Sequence, residues 1–132
     1  MSVLTRVMEL TGKTHLEEVW PNLEVFFHGG VAFEPYRKQY EQLITSPKMH
    51  YQETYNASEG FFGIQNDPAD RSMMLMLDYG VFYEFIPMDE FGKDNPTVIP
   101  LWGVETGCNY ARVISTSCGL WRYVIGDTVK FP

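Results

Sequence analysis

The fold of the first half of the chain is decided by one stretch, Met49-His50-Tyr51-Gln52-Glu53-Thr54-Tyr55-Asn56-Ala57-Ser58-Glu59-Gly60-Phe61-Phe62-Gly63. Its first seven residues alternate Met, Tyr and Glu with His, Gln and Thr, and this period of two predicts a strand. The strand then runs into small polar residues, the carboxylate of Glu59 and a glycine. Such residues at the carboxyl end of a strand suit the ligand crevice of an open α/β sheet, although an ordinary loop with a solvated Glu59 would have the same composition.

Helices and strands alternate on the amino-terminal side of this predicted strand. The periodicity of the apolar residues and the positions of proline and glycine mark where each element begins and ends. The predicted elements are a helix over residues 1–10, a capping box formed by Thr14 and Glu17, a buried strand over residues 23–27 that stops at Gly29-Gly30, and a helix that begins at Pro35.

The second half of the chain contains short strands with turn residues between them. The predicted strands cover residues 73–77, 81–86, 97–102, 110–116 and 120–125. Their close spacing indicates antiparallel hairpins, because parallel strands need long crossover connections. We therefore predict an α+β fold, with an α/β portion over residues 1–66 followed by an antiparallel β-rich portion over residues 67–132.

Both ends of the sequence look like cuts through a larger domain. The chain stops at Phe131-Pro132, directly after a strand-like run, and no strand precedes the first predicted helix. We therefore expect residues 1–132 to be a single internal fragment of one domain of a longer protein.

The composition and charge of the chain exclude several classes of protein. Hydrophobic residues make up 45% of it and aromatic residues 15%, which is enough apolar surface for a folded core. The net charge of −7 argues against a nucleic-acid polymer or an anionic membrane as partner, and no run of 18 apolar residues is available to span a bilayer. Two cysteines, and a start typical of a helix and not of a signal peptide, favour a reduced, cytoplasmic protein.

Two further segments have residues suited to binding a ligand. In Phe27-His28-Gly29-Gly30-Val31-Ala32, the two glycines would let the backbone approach a flat ligand, although a plain strand-to-helix turn is the commoner explanation. In Gly119-Leu120-Trp121-Arg122-Tyr123-Val124-Ile125-Gly126-Asp127, an aspartate after a strand can accept two hydrogen bonds from vicinal hydroxyls, as in ribose recognition. A turn aspartate that caps exposed amides would look the same.

Taken together and in this order, the segments resemble the auxin-responsive (Gretchen Hagen) family of acyl acid amido synthetases, within the firefly-luciferase-like adenylate-forming superfamily. Tyr55-Asn56-Ala57-Ser58-Glu59-Gly60 resembles the second nucleotide motif of that family, and Gly119 to Asp127 resembles the third. Trp20-Pro21-Asn22-Leu23 and Tyr83-Glu84-Phe85-Ile86-Pro87 are also similar to family segments.

The resemblance implies that the chain is a fragment of the large domain of an enzyme that activates a carboxylic acid with ATP and passes the acyl group to an amine, usually that of an amino acid. It also implies a role for each matching residue. Asp127 would bind the ribose hydroxyls, and Gly29 and Gly30 would form part of the adenine wall. The residues beside adenine and the α-phosphate would be Tyr55, Asn56, Ala57 and Ser58. Glu59 would act in catalysis by placing Mg²⁺, and Arg122 and Tyr123 would be accessory.

Two departures from the family pattern affect what this chain can do. Val124 stands where the family often has a second arginine, which puts a phosphate-side or hinge contact in doubt, although Arg122 is retained. The 132 residues also contain neither a Ser/Thr/Gly-rich phosphate loop with its lysine nor the family's lid domain. We therefore expect the isolated chain to be inactive.

Two alternatives stay open from the sequence. A coenzyme A ligase of the same superfamily shares the adenylation half-reaction and differs in the acceptor. A non-catalytic, β-rich binding or interaction module would have aromatic strands simply as core residues.

Overall fold

The computed structural model describes residues 2–31 and 33–132 and divides the chain into two compact units. Met1, at the start of the first predicted helix, and Ala32, in the predicted glycine segment, lie outside the described residues. The first unit comprises the residues up to Ala57 together with Phe62–Leu75, and the second comprises Ser58–Phe61 together with Met76–Pro132. The prediction of a fold that mixes helices and sheets is confirmed, whereas the division between residues 66 and 67 stays a prediction.

The first sheet contains four strands in sequence order, β1-β2-β3-β4, and begins with a parallel pair. Strands β3 and β4 are antiparallel. No helix among residues 2–31 and 33–132 is long and apolar enough to cross a membrane. The elements are α1 (Ser2–Thr11), a 3₁₀ helix (Leu16–Glu18), β1 (Val25–Gly29), α2 (Glu34–Leu43), β2 (His50–Ala57), β3 (Gly60–Ile64) and β4 (Met74–Leu75).

An aromatic cluster forms the core between α2 and the parallel pair. The register sets Phe26 of β1 beside Tyr51 of β2, and Tyr40 of α2 stacks on Phe26 with ring centroids 4.6 Å apart. Phe33, just before α2, is 6% exposed and stacks on His28 at 4.0 Å. Aromatic pairs at such distances contribute about 0.5–1.5 kcal/mol beyond the area they bury, so this cluster holds α2 over the two strands.

Two polar side chains, Arg37 and His28, pack against the rings of this aromatic cluster. The guanidinium carbon of Arg37 lies 5.0 Å from the centroid of the Phe33 ring, within the range of a cation–π interaction. Burial lowers the pKa of the His28 imidazole, an effect that the nearby Glu53 carboxylate opposes. His28 is therefore a neutral, stacked core side chain at pH 7.

The capping box lies one residue further along than its sequence spacing predicts, so the predicted role of Glu17 is wrong. The 3₁₀ helix starts at Leu16, which places Glu18 at its third position, and the Glu18 carboxylate accepts hydrogen bonds from the Thr14 hydroxyl at 2.8 Å and the His15 backbone N–H at 3.0 Å. The Glu17 carboxylate instead accepts the backbone N–H and the hydroxyl of Thr45 at 2.9 and 2.5 Å. Glu17 thereby ties the 3₁₀ helix to the segment that follows α2.

The second sheet is antiparallel throughout, with strand order β6-β5-β7-β8. Its elements are β5 (Val81–Pro87), β6 (Ile99–Pro100), a 3₁₀ helix (Leu101–Gly103), β7 (Asn109–Thr116) and β8 (Tyr123–Lys130). The bounds of the predicted strand over residues 120–125 are wrong: a strand is present, but β8 starts at Tyr123 and runs to Lys130. The residue before β8, Arg122, has φ +47°, a left-handed conformation that breaks the strand at that point.

Strand β7 is the central element of the second unit and is buried over five consecutive residues, Tyr110 to Ile114. One face contributes Ala111 and Val113 to a cluster with Ile86 of β5. On the other face, the Tyr110 ring makes an edge contact with Phe85 at 6.1 Å. A strand covered on both faces is normally apolar throughout, which makes the arginine at position 112 the exception.

We expect the Glu17→Gln substitution to destabilise the chain by about 1–2 kcal/mol at pH 7, because charge-assisted hydrogen bonds are stronger than neutral ones. Burial raises the pKa of the Glu17 carboxyl, but the hydrogen bonds from Thr45 outweigh burial and leave that pKa below its ordinary value. The stabilisation is therefore present above the ordinary pKa of 4.5 and is lost as the pH falls through the lower folded value.

Urea denaturation of wild type and variant at pH 7 and at pH 3 measures this difference. Replacement of the exposed Glu24 by Gln is the matched control and should leave stability unchanged. A penalty for Glu17→Gln that is equally large at both pH values would show that the charge of Glu17 contributes nothing.

Candidate functional site

The carboxyl ends of β1 and β2 lie side by side at one edge of the first sheet. The two strands are parallel, and their register pairs His28 with Glu53 and Gly29 with Thr54. Gly30 therefore leaves β1 at the level where Tyr55 continues β2. The structure thus brings together the glycine segment and the start of the Tyr55 motif, at the edge where open α/β sheets bind ligands.

Gly29 is required by the close approach of the two backbones. A Cβ atom on residue 29 would overlap the carbonyl oxygen of Thr54 and lie 2.9 Å from its hydroxyl oxygen. That hydroxyl donates a hydrogen bond to the carbonyl oxygen of His28 at 3.1 Å, which leaves no room for a side chain. Strand pairing alone therefore explains this glycine, and the adenine-wall role of Gly29 and Gly30 stays a prediction.

The second motif spans the end of β2 and the turn into β3. The Tyr55 ring is half-buried and makes an edge contact with Phe62 of β3 at 5.6 Å. Asn56 is exposed near the end of β2, and Ser58 and Glu59 form the two-residue turn, with Glu59 half-buried. The polar groups of the motif are thus presented by a short hairpin, while its tyrosine is used for packing.

The side chains near Glu59 could bind a magnesium ion only if a bound phosphate ligand supplied further oxygen atoms. Among residues 2–31 and 33–132, no group of three or more His, Cys, Asp and Glu side chains could hold a metal ion. Mg²⁺ is commonly bound through one or two carboxylates together with substrate phosphates, and the single carboxylate of Glu59 suits that mode.

Asp127 lies inside β8 and not after a strand, so its predicted position is wrong. Ala111 pairs with Thr128, whereas Val113 pairs with Val124, so three residues of β8 oppose the single residue 112 of β7. Gly126, within this bulge, has φ +88°, a left-handed conformation that glycine adopts without strain. Bulges of this kind bend a strand and redirect its side chains.

Arg112, which the sequence pattern did not single out, is the most unusual residue near Asp127. Its residue exposure is 0%, and its Nη2 atom lies 4.0 Å from Oδ2 of Asp127, whose side chain is 51% exposed. A charged residue in the middle of the apolar run from Tyr110 to Ile114 is the feature that could have identified it. A buried arginine normally requires a compensating acid, and Asp127 is within reach.

Arg122 is held by contacts within the second unit. Its Nε donates a hydrogen bond to the Glu84 carboxylate at 3.0 Å, and its backbone N–H donates to the Ser115 hydroxyl at 2.9 Å. These bonds help to stabilise the left-handed backbone at this position. Tyr123, the other predicted accessory residue, is 41% exposed at the start of β8. The ligand contacts predicted for Arg122 and Tyr123 stay predictions.

Comparison with protein families gives two matches from one family. Residues 2–49 match the GH3 family N-terminal domain, and residues 74–132 match the GH3 family central domain.

Two curated relatives illustrate the likeness in sequence. The chain is 41% identical over 80 residues to the 4-substituted benzoates-glutamate ligase GH3.12 of Arabidopsis thaliana, an alignment that covers 58% of this chain and 13% of that protein. It is 32% identical over 126 residues to the indole-3-acetic acid-amido synthetase GH3.8 of Oryza sativa subsp. indica, covering 87% of this chain and 20% of that protein. The chain thus spans at most about a fifth of the length of these relatives.

Solved structures show the same fold. The GH3.15 acyl acid amido synthetase matches with a TM-score of 0.67 and 22% identity, over 89% of this chain and 22% of that one. The structure of AtGH3.15 acyl acid amido synthetase in complex with 2,4-DB matches with a TM-score of 0.71 and 21% identity, over 94% of this chain and 22% of that one.

We expect the Gly29→Ala substitution to destabilise the chain by roughly 1–3 kcal/mol, because the added methyl group forces β1 away from Thr54. Gly63→Ala is the matched control in the same sheet, since a Cβ there would lie 3.4 Å from the Met73 Cβ, an ordinary contact. The control should change stability by less than about 1 kcal/mol. Thermal and urea denaturation measure both variants, and equal effects would mean that the backbones do not approach closely at Gly29.

Proposed function

The chain belongs to the GH3 family, and from this premise we propose that it forms part of an ATP-dependent ligase that activates a carboxylic acid as its acyl-adenylate and joins it to the amine of an amino acid. Relatives named as an acid–glutamate ligase and as amido synthetases support this reaction class. The partners under this proposal are small molecules: the acid, the amino acid and ATP.

The parallel pairing of β1 and β2 is the observation on which the proposal depends. It sets the backbone of Gly29-Gly30 beside the start of Tyr55-Asn56-Ala57-Ser58 at a carboxyl edge of the sheet. A flat base fits against backbone that has no Cβ atoms, and small polar residues leave room for a phosphate. In this proposal Gly29 and Gly30 form one wall of the adenine site, and Tyr55 to Ser58 lie beside adenine and the α-phosphate.

Glu59 is the proposed metal-binding and catalytic acid. The turn between β2 and β3 presents its carboxylate next to the residues assigned to the α-phosphate. Mg²⁺, when bound, would offset phosphate charge as the substrate carboxylate attacks. Without a cation, a carboxylate at that position would repel the phosphates, so the proposed role of Glu59 requires the metal.

Asp127 is the proposed acceptor for the ribose hydroxyls. Its side chain is 51% exposed, which leaves the carboxylate accessible to a ligand. An ionised carboxylate accepts two hydrogen bonds from a vicinal diol, the same chemistry by which acids bind ribose in dinucleotide sites. Nη2 of the buried Arg112 lies 4.0 Å from Oδ2 of this carboxylate, which places a cation behind the proposed acceptor.

We expect substitution of either acid to lower ATP–pyrophosphate exchange in the full-length protein encoded by the reading frame of this chain. Loss of a hydrogen bond to a charged group costs about 1.5–3 kcal/mol, so Asp127→Ala should reduce exchange roughly 10- to 100-fold. Glu59→Gln removes the carboxylate charge that would hold Mg²⁺, so it should also lower exchange. Asp94→Asn, at an exposed loop aspartate, is the control and should retain wild-type exchange.

The 132-residue chain assayed alone is the second control, and we expect it to release no pyrophosphate because it has no phosphate loop. Wild-type exchange in the Asp127→Ala protein would remove the ribose assignment. Pyrophosphate release by the 132-residue chain would remove the proposal that it is inactive on its own.

A coenzyme A ligase remains the second candidate, since it shares the adenylation step. The GH3 relatives named for amide and glutamate products favour the amino-acid acceptor. Family membership also removes the basis for treating the motifs as accidental matches in a non-catalytic module.

We expect the full-length protein, supplied with ATP and a panel of carboxylic acids, to form amides with amino acids and no thioester with coenzyme A. Mass spectrometry of the products distinguishes the two outcomes. A thioester product, formed while twenty amino acids give no amide, would assign the protein to the coenzyme A class.

A further inference from the structure

Arg112 occupies a position where an apolar residue would be expected. In the strand register Arg112 pairs with Phe85 of β5, and Ile114 lies two residues further along β7 on the same face. Both of these neighbours are 0% exposed. Burying a guanidinium costs several kcal/mol unless an acid and further hydrogen bonds compensate it. A leucine or methionine at this point would avoid that cost, so the fold alone does not require the charge.

The bulge in β8 brings an acid to this buried charge. Three residues of β8 pass opposite Arg112, and the left-handed backbone at Gly126 lets the strand make the detour. Asp127 then lies with one carboxylate oxygen 4.0 Å from the guanidinium while about half of its side chain is exposed. The carboxylate therefore has a buried cation on one side and an accessible surface on the other.

We propose that Arg112 is a positioning residue for Asp127, which holds the carboxylate in one orientation at the surface of β8 so that it can accept hydrogen bonds from a vicinal diol. The identity of the diol as the ribose of a nucleotide rests on the proposed function. The pairing of Arg112 with Asp127 rests on the burial and the distance alone.

A cation beside Asp127 would reduce the repulsion between its carboxylate and an anionic ligand, which gives a reason for an arginine at position 112. An isolated carboxylate repels an anionic nucleotide, and this repulsion is stronger in a protein site than in bulk water. A cation behind Asp127 cancels much of that repulsion, while the exposed side of the carboxylate can accept hydrogen bonds from hydroxyls. Because arginine stays protonated at all working pH values, the compensation does not depend on pH.

A purely structural role for Arg112 is the alternative that the experiment must separate. The charge of Arg112 also acts on Tyr83: burial raises the pKa of the Tyr83 phenol, and Arg112 opposes that rise. The Tyr83 hydroxyl donates a hydrogen bond to the carbonyl oxygen of Met76 at 3.0 Å. If Arg112 served only this part of the core, its removal would destabilise the chain without any dependence on Asp127.

A double-mutant cycle on the 132-residue chain tests the pairing. The variants are Arg112→Met, Asp127→Asn and the double variant, with folding equilibrium constants taken from urea denaturation. Directly interacting residues couple by roughly 0.5–3 kcal/mol, so we expect the combined effect to differ from the product of the single effects by about 2- to 160-fold. The matched control is Arg122→Met, whose arginine pairs with Glu84, and its effect should multiply with that of Asp127→Asn.

Amide hydrogen exchange at Gly126 and Asp127 measures local opening of the bulge, which is separate from the global unfolding measured by urea. We expect exchange in the bulge to rise about 10-fold or more in Arg112→Met, after correction for global unfolding, and to return towards wild type in Arg112→Lys. If Arg112→Met does not fold, the comparison of Arg112→Lys and Asp127→Asn with wild type supplies the same measurements. Independent effects in the cycle, together with unchanged exchange in the bulge, would overturn the proposal.

The ligand part is tested in the full-length protein by comparing ATP with its 2′,3′-dideoxy analogue in pyrophosphate exchange. We expect wild type to prefer ATP, Arg112→Met to lose about 10-fold of that preference through a raised KM for ATP, and Arg112→Lys to keep most of it. Full preference in Arg112→Met would overturn the positioning role. A wild-type protein that does not use ATP would instead overturn the proposed function, while the cycle still decides the pairing.

Discussion

The parallel pairing of β1 with β2 is the constraint on which the first unit depends. Two parallel neighbours cannot be joined by a tight turn, so the chain between them must cross over the sheet, and here α2 makes that crossover. The crossover has to bury a face of the sheet, and the contacting rings of Phe26, Phe33 and Tyr40 do so. Gly29 lets the two backbones close at the edge where the strands end. The geometry of the candidate site is thus a consequence of the pairing.

The sequence predicted the parts of this arrangement that have a local cause. Period-two alternation located β2, and the proline at position 35 located the start of α2 to within one residue. The predicted capping box was off by one residue. The spacing of Thr14 and Glu17 fits the motif, but the 3₁₀ helix starts one residue later, at Leu16. The long-range bond from Thr45 to Glu17 has no sequence signature, because the two residues lie 28 positions apart.

The third motif shows why the rest could not be predicted. Residues 120–125 have the composition of a strand, but the left-handed backbone at Arg122 delays the strand to Tyr123. A non-glycine residue in that conformation is stabilised by tertiary contacts, here with Glu84 and Ser115, and such contacts are invisible in a linear pattern. The bulge at Gly126 could not be recognised from the linear sequence either. Sequence therefore identified Asp127 as a candidate and misjudged the backbone that carries it.

The acidity of the chain limits how it can bind an anionic ligand. Its net charge is −7, and several of its cations are already engaged by carboxylates, as in the pairs Arg37–Glu34 and Arg122–Glu84. Exposed charges are screened beyond about 8 Å at physiological salt, so the overall field matters less than groups in direct contact with the ligand. Under the proposed function, binding of a nucleotide would then depend on backbone N–H groups, a metal ion and cations placed behind the acids. Arg112 lies behind Asp127 in this way, and its burial keeps its charge from being screened by solvent.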